Sequence, residues 1–302
     1  MRETSKGLRV VRDYLSLTKP GIVLWLVITA YCAMVVGYRG VPPFGMTAGM
    51  VVGLGLSAGG AHAVNMWYDR DIDPLMQRTQ DRPVAAGRIP ARNALILGVA
   101  MGAAAVPILG WGVNWLTAAA ALAGYLFYLF VYTFWLKRRT PQNIVIGGAA
   151  GAFPPLIGWV AVTGHLALAP LVLFAIIFFW TPPHFWSLAL YAHGDYARAG
   201  VPMLPVVAGA RATRRRIMLY TLLLVPLTLL PWALGEAGRI YGLAAGGLGI
   251  GFLVSAWRVL RDAQDEAGRS LTKDAPARAA FRYSILYLFV LFAALAVDRL
   301  VG

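Results

Sequence analysis

Residues 44–73 read FGMTAGMVVGLGLSAGGAHAVNMWYDRDID. Residues 44–67 form an apolar run long enough to cross a bilayer, whose hydrocarbon core takes about 20 residues of helix. The closing nine residues hold Asn65 and the carboxylates Asp69, Asp71 and Asp73, three of only 13 acidic residues in the chain. A membrane span thus delivers acids to its own end. Asn65, Asp69 and Asp73 recur every four residues, so a helix continued through residue 73 stacks them on one face, with Asp71 out of phase. Hard oxygen ligands in a row suit Mg²⁺, which pairs a few carboxylates with substrate phosphates. Clustered like charges also call for a cation to neutralise them.

The rest of the chain repeats the apolar theme. Of its 302 residues 59% are hydrophobic and 13% charged. Nine spans are expected, over 21–38, 44–67, 93–111, 114–136, 143–163, 167–192, 216–234, 240–257 and 280–298. The fold class is therefore an all-α integral membrane protein, a single membrane-embedded domain over 1–302. Glycine and proline inside the spans, as at Pro154-Pro155 and Pro182-Pro183, mark kinks or close helix contacts. Cys32 is the only cysteine. An intrachain disulfide, a cysteine metal site and covalent c-type haem attachment are all excluded. No cleavable signal is expected, and residues 1–20 read as a short polar lead into the first span.

Basic residues set the orientation. With nine spans, 24 of the 27 Lys and Arg residues fall on the side of the N-terminus; Arg39, Arg239 and Arg299 fall on the other. The positive-inside rule puts the N-terminus and the long loops in the cytoplasm and the C-terminus opposite. The net charge of +14 is then a topology signal, and nucleic-acid binding is a poor reading.

The two longest loops, 68–92 and 192–215, lie on that same side. The first carries Asn65, Asp69 and Asp73 at its root; the second carries Tyr191 and Asp195, again four apart. His62 precedes Asp69 by seven and Asp73 by eleven, and His184 precedes Tyr191 and Asp195 by the same offsets. A duplicated four-helix unit would produce that echo. A lone surface aspartate is more often solvated or paired with an arginine, and Arg70 and Arg78 are at hand. Three oxygen donors in phase, opposite a second acid-bearing loop, favour a metal–diphosphate site instead. An ion-coupled transporter is the rival from another class. Transporters place ionisable groups near the midplane, whereas these spans hold almost none.

Asn65-x-x-x-Asp69-x-x-x-Asp73 followed by Arg82-Pro83 resembles the first motif of the UbiA family of intramembrane prenyltransferases. The text around it is similar to the branch that farnesylates protohaem IX: Asp69 through Thr79, Leu17-Thr18-Lys19-Pro20, Lys137 through Gly148, Trp180 through Leu190, and Asp195 through Pro205. The resemblance runs from residue 17 to about 205, with only topology matching beyond. It implies a helical bundle around a central cavity, with Mg²⁺ held by Asn65, Asp69, Asp73 and Asp195. It also implies farnesyl diphosphate and haem b as substrates, Mg-assisted diphosphate departure, and transfer of farnesyl to a haem vinyl group to give haem O. Lys19, Arg78, Arg82 and Lys137 are candidate diphosphate contacts; each also reads as a topology-setting charge. Tyr132 is a candidate phosphate donor or an interfacial anchor. Of the four histidines, His184 in the Trp180–Trp186 aromatic run is the candidate haem contact. Tyr191 stands where many relatives carry a second-motif aspartate, which leaves Asp195 as the surer ligand. The same resemblance points to a prokaryotic plasma membrane and to haem-processing or terminal-oxidase assembly proteins as partners. An aromatic or quinone-precursor acceptor is the alternative within the family.

Overall fold

The computed structural model describes residues 2–266 and 268–301, with side chains from residue 7 onward. Arg2 and Lys6, counted above among the basic residues of the N-terminal side, lie outside the described side chains. Among the described residues the regular elements are all helices. A leading helix α1 (Arg2–Leu17) precedes α2 (Pro20–Tyr38), α3 (Phe44–Tyr68), α4 (Ala91–Gly112), α5 (Trp115–Leu136), α6 (Asn143–Thr163) and α7 (Leu168–Tyr191). Two short helices follow, α8 (His193–Arg198) and α9 (Leu204–Val207), then α10 (Gly209–Ala233), α11 (Arg239–Leu260) and α12 (Ala275–Val301). Nine of these, α2 to α7 and α10 to α12, are long and apolar enough to cross a membrane.

The nine expected spans match those nine helices. Two begin at least five residues earlier than expected, α10 at Gly209 rather than 216 and α12 at Ala275 rather than 280. Basic residues such as Arg211, Arg214 and Arg215 hide the first turns of α10 from a hydropathy reading, because charged residues extend a helix beyond the hydrocarbon at little cost. The expected loop 192–215 therefore shrinks and gains the two short helices.

Two apolar cores share α2 and α6. One gathers Met34, Met50, Leu54, Leu109 and Ile157 from α2 to α6; the other gathers Val36, Trp159, Ile176, Leu224, Phe252 and Tyr287 from α2, α6, α7 and α10 to α12. Helix α3 lies along α4, α2 along α6, and α7 against α6, α10 and α12. Close approach needs glycine at the α3–α4 crossing. A Cβ on Gly60 would sit 2.6 Å from the Gly98 carbonyl oxygen, and one on Gly98 would meet the Gly60 oxygen at the same distance.

Two details secure the ends. Helix α1 packs Tyr14 and Leu17 against Ala63, Met66 and Ile89, and Asp13 takes Arg88 at 3.1 Å on both oxygens. Leu8, Val11 and Leu15 stay exposed. At the far end, Asp298 of α12 accepts the backbone N–H groups of Gly238, Ile240 and Tyr241 at the start of α11. A carboxylate there satisfies otherwise unpaired amides.

Candidate active site

The acidic stretch does not continue as regular helix. Helix α3 ends at Tyr68, Asp69 caps it, and Asp73 opens a single 3₁₀ turn, Asp73–Leu75. The four-residue period survives for a local reason. Asp69 N–H donates to the Asn65 carbonyl at 2.9 Å, and Asp73 N–H donates to the Asp69 carbonyl at 2.8 Å. These two bonds keep helical pitch across a turn whose other residues depart from it. All three side chains are buried: Asn65 is 2% exposed, Asp69 0% and Asp73 1%.

Cations surround them. The Asn65 amide donates to an Asp69 oxygen at 2.8 Å and to the Thr133 hydroxyl at 3.4 Å, while its carbonyl accepts from Lys19 Nζ at 3.2 Å. Asp69 is paired with Lys137 and, at 3.5 Å, with Arg138. Asp73 receives Arg82 at 2.9 Å on both oxygens. Lys19 reaches Asn65 from the kink between α1 and α2, where its backbone is left-handed at φ 50°. A non-glycine residue held there costs about 1–3 kcal/mol, and such strain gathers at functional sites. Burial, followed by the charges of Arg82 and Lys137, holds the Lys19 ammonium well below its usual range. An arriving anion would relieve that stress.

Helix α5 delivers Thr133 and Lys137 from a widened segment. Its last ten residues, Phe127–Leu136, form a π-helix, and Lys137 N–H donates to the Tyr132 carbonyl at 2.9 Å. Wide turns of this kind often accompany functional sites. Arg138 grips the rim: its guanidinium forks onto Asp71 at 2.7 Å twice, caps the Tyr68 carbonyl at 2.9 Å and lies over the Tyr68 ring. The side-chain hydrogen bonds from Arg138 pull the Asp71 carboxyl below the ordinary carboxylate range and raise the guanidinium in turn.

The second loop closes onto the first. Asp195 in α8 pairs with Arg198 and accepts the Arg78 backbone N–H at 3.4 Å. The Arg78 side chain donates to the Tyr196 hydroxyl at 3.1 Å. Tyr196 is buried, and Arg78, Tyr132, Lys137 and Arg82 all lie close enough to act on its hydroxyl, which burial pushes up from its ordinary value. Tyr196 therefore links the two motif regions.

Three candidates remain. Tyr132 packs its ring on Gly147 and beside Tyr128. Tyr191, at the end of α7, lies beneath the Arg278 guanidinium, 4.3 Å from its ring centroid, and edge-on to Phe281. His184 is stacked between Trp180 and Phe281 at centroid distances of 4.3 and 4.6 Å. Its Nδ1 lies 2.7 Å from the Ser284 hydroxyl, which itself donates to the Phe281 carbonyl. A hydroxyl has one hydrogen, so His184 must donate from Nδ1, and in its neutral form the ring offers Nε2 as acceptor. Thr133, Arg138 and Tyr196 were absent from the expected site. Each adjoins or lies one helical turn from a candidate that was expected, which is the signal the sequence carried.

The cluster has the makings of an anion site. Asp69, Asp73 and Asp195 are each engaged by Lys or Arg, and among the described residues the Lys19 ammonium donates only to the Asn65 amide oxygen. Among the described residues no three His, Cys, Asp or Glu side chains converge as a free-standing metal cage. Mg²⁺ does not need one: it usually takes one or two carboxylates, waters and substrate phosphates. Hard oxygen donors beside basic groups fit such an ion arriving with a diphosphate, with the basic side chains turning from carboxylates to phosphate oxygens.

Residues 26–286 match the family described as the UbiA prenyltransferase family. The chain is 56% identical over 295 residues to the protoheme IX farnesyltransferase of Granulibacter bethesdensis, covering 98% of this chain and 93% of the relative. It is 57% identical over 290 residues to the protein of that name from Acidiphilium cryptum, covering 96% and 91%. Among solved structures, a digeranylgeranylglyceryl phosphate synthase matches with a TM-score of 0.77 at 17% identity, covering 96% of this chain and 98% of that one. A UbiA homolog from Archaeoglobus fulgidus bound to DMAPP and Mg²⁺ matches with a TM-score of 0.64 at 19% identity, covering 94% and 99%. These structural likenesses carry the fold.

Proposed function

This chain belongs to the UbiA prenyltransferase family, and from that premise we propose that it transfers the farnesyl group of farnesyl diphosphate to a vinyl group of haem b, giving haem O and diphosphate. The observation that carries the donor half is the buried Asn65–Asp69–Asp73 row ringed by Lys19, Arg82 and Lys137. The acceptor half rests on near full-length identity to relatives named protoheme IX farnesyltransferase.

Lys19, Arg78, Arg82 and Lys137 hold the diphosphate oxygens, and the Tyr132 hydroxyl donates to one of them. Asn65, Asp69, Asp73 and Asp195 would hold Mg²⁺, which when bound supplies positive charge to the leaving diphosphate. Charge placed in advance where the transition state develops it is usually the largest catalytic contribution. The allylic C–O bond breaks and the electron pair leaves with the diphosphate. The vinyl π pair forms the new C–C bond, and water adds to the carbon beside the porphyrin ring and gives up a proton. The role of His184 is to meet the haem through Nε2, held by Ser284, Trp180 and Phe281. Tyr191 steadies Arg278 at the rim.

In this reading the loops 68–92 and 192–215 and the N-terminus face the cytoplasm of a prokaryotic cell and the C-terminus lies opposite, as the distribution of basic residues supports. Haem-processing or oxidase-assembly proteins receive the product. Incubation of the purified protein with farnesyl diphosphate, haem b and Mg²⁺, followed by mass spectrometry, tests the proposal: a farnesylated, hydrated haem is expected. Prenylation of a phenolic acceptor with haem b untouched would refute it.

A further inference from the structure

A second basic feature lies away from the acidic row. Between the start of α10 and the end of α11, a cavity of about 290 Å³ is lined by Arg211, Arg214, Arg215, Trp257, Arg261 and Gln264. By the alternation of the nine spans it opens at the same membrane face as the acidic row.

Arg214 is the built element. It is 1% exposed, and two of its nitrogens are engaged: one with the Gly268 carbonyl at 3.2 Å, the other with Asp262 at 3.2 Å and Asp274 at 3.1 Å. Its Nε has no hydrogen-bond partner among the described residues. A buried guanidinium N–H left unmated costs free energy that a ligand oxygen would recover. Gln264 lines the same cavity, and its side-chain carbonyl oxygen is likewise buried, with no hydrogen-bond partner among the described residues. An unmated donor and an unmated acceptor, both wholly buried, therefore belong to residues that wall one cavity. Asp262 and Asp274 balance Arg214 and one further charge, so Arg211, Arg215 and Arg261 leave the cavity positive. Arg261 lies over the Trp257 ring, 5.2 Å from its centroid, and Trp257 is half exposed at the end of its span. Tryptophan at that depth marks the headgroup level of a bilayer.

We propose that this cavity binds the phosphodiester of an anionic phospholipid, with a hydroxyl-bearing headgroup of the phosphoglycerol class. Arg211, Arg215 and Arg261 take the phosphate oxygens, and a turn of the Arg214 and Gln264 side chains into the cavity brings Nε onto the phosphate and the Gln264 oxygen onto a headgroup hydroxyl that donates to it. Depth at the interface favours a lipid over soluble phosphate, which shares the anion chemistry but brings no acyl chains to lie along α10 and α11. Basic pockets between spans on the cytoplasmic side are suited to acidic lipid headgroups.

Native mass spectrometry of the full-length protein, with phosphatidylglycerol or phosphatidylcholine added at equal concentration, tests this. Wild type is expected to retain at least one phosphatidylglycerol at energies that strip phosphatidylcholine. The triple variant Arg211→Ala, Arg215→Ala, Arg261→Ala should bind phosphatidylglycerol roughly a hundredfold more weakly. Gln264→Leu should reduce retention of phosphatidylglycerol while leaving that of a phosphatidic acid unchanged. Farnesyl transfer by the triple variant in detergent should match wild type and shows that the variant is folded. Equal retention of the two lipids by wild type, or undiminished phosphatidylglycerol retention by the triple variant, would overturn the proposal. Displacement of the lipid by millimolar inorganic phosphate would overturn it in favour of a soluble anion.

Discussion

Lys137 and Asp69 are paired across two helices, and the Asp69 carboxylate is wholly removed from solvent. The pair joins the end of α3 to the end of α5, and Arg138 adds a second charge to the same carboxylate. Asp69→Asn keeps the shape and removes the charge. Haem product formation is expected to fall by at least about a hundredfold, as losing a positioned charge at a reacting centre does. Product measured by mass spectrometry at near wild-type levels would contradict the assignment of Asp69.

Chelation should silence the enzyme. Removal of divalent ions with EDTA is expected to abolish transfer, and added Mg²⁺ to restore it, since the carboxylates alone would repel a diphosphate. Turnover that persists in chelator would count against the site, whatever the acceptor.

Tyr196 gives a subtler readout. Tyr196→Phe removes the hydroxyl that receives Arg78, and one hydrogen bond of this kind is worth about 0.5–1.5 kcal/mol. The KM for farnesyl diphosphate should rise about three- to tenfold, with a smaller change in kcat. An unchanged KM would make Tyr196 a packing residue.

The rim pair predicts a pH dependence. Arg138 lowers the Asp71 carboxyl relative to the unfolded chain. The pair therefore stabilises the fold above the unfolded value of about 3.9, and that stabilisation is lost as pH falls through the lower folded value. Asp71 is largely exposed, so the contribution is about 0.5 kcal/mol or less. Asp71→Asn should melt slightly below wild type at pH 7, with the gap closing as pH falls below about 3.9. A gap that widens in acid would refute the pairing.

Gly60→Ala tests the helix crossing. The new methyl would meet the Gly98 carbonyl at 2.6 Å, and forcing α3 from α4 should cost about 1–3 kcal/mol. Thermal melting in detergent measures it; an unchanged melt would mean that the helices part freely.

The spans were legible because bilayer thickness imposes one length on every apolar run. The starts of α10 and α12 were not, since arginines there look like loop while the backbone is already helical. The acidic row was legible in its spacing, though not in its cause: two backbone bonds carry the period past Tyr68, where regular helix has stopped. Arg138 and Tyr196 were hidden for another reason. Their importance comes from partners far along the chain, Asp71 and Arg78, and spacing says nothing about who meets whom across a bundle. The α1 helix was missed because its apolar residues Leu8, Val11 and Leu15 are too few for a span, yet enough for one face.

The contacts of Arg78 with Asp195 and Tyr196 join positions 117 and 118 residues apart. The two loops are thereby buckled to each other, so neither can swing away without undoing its counterpart. A protease nick in either loop should loosen both.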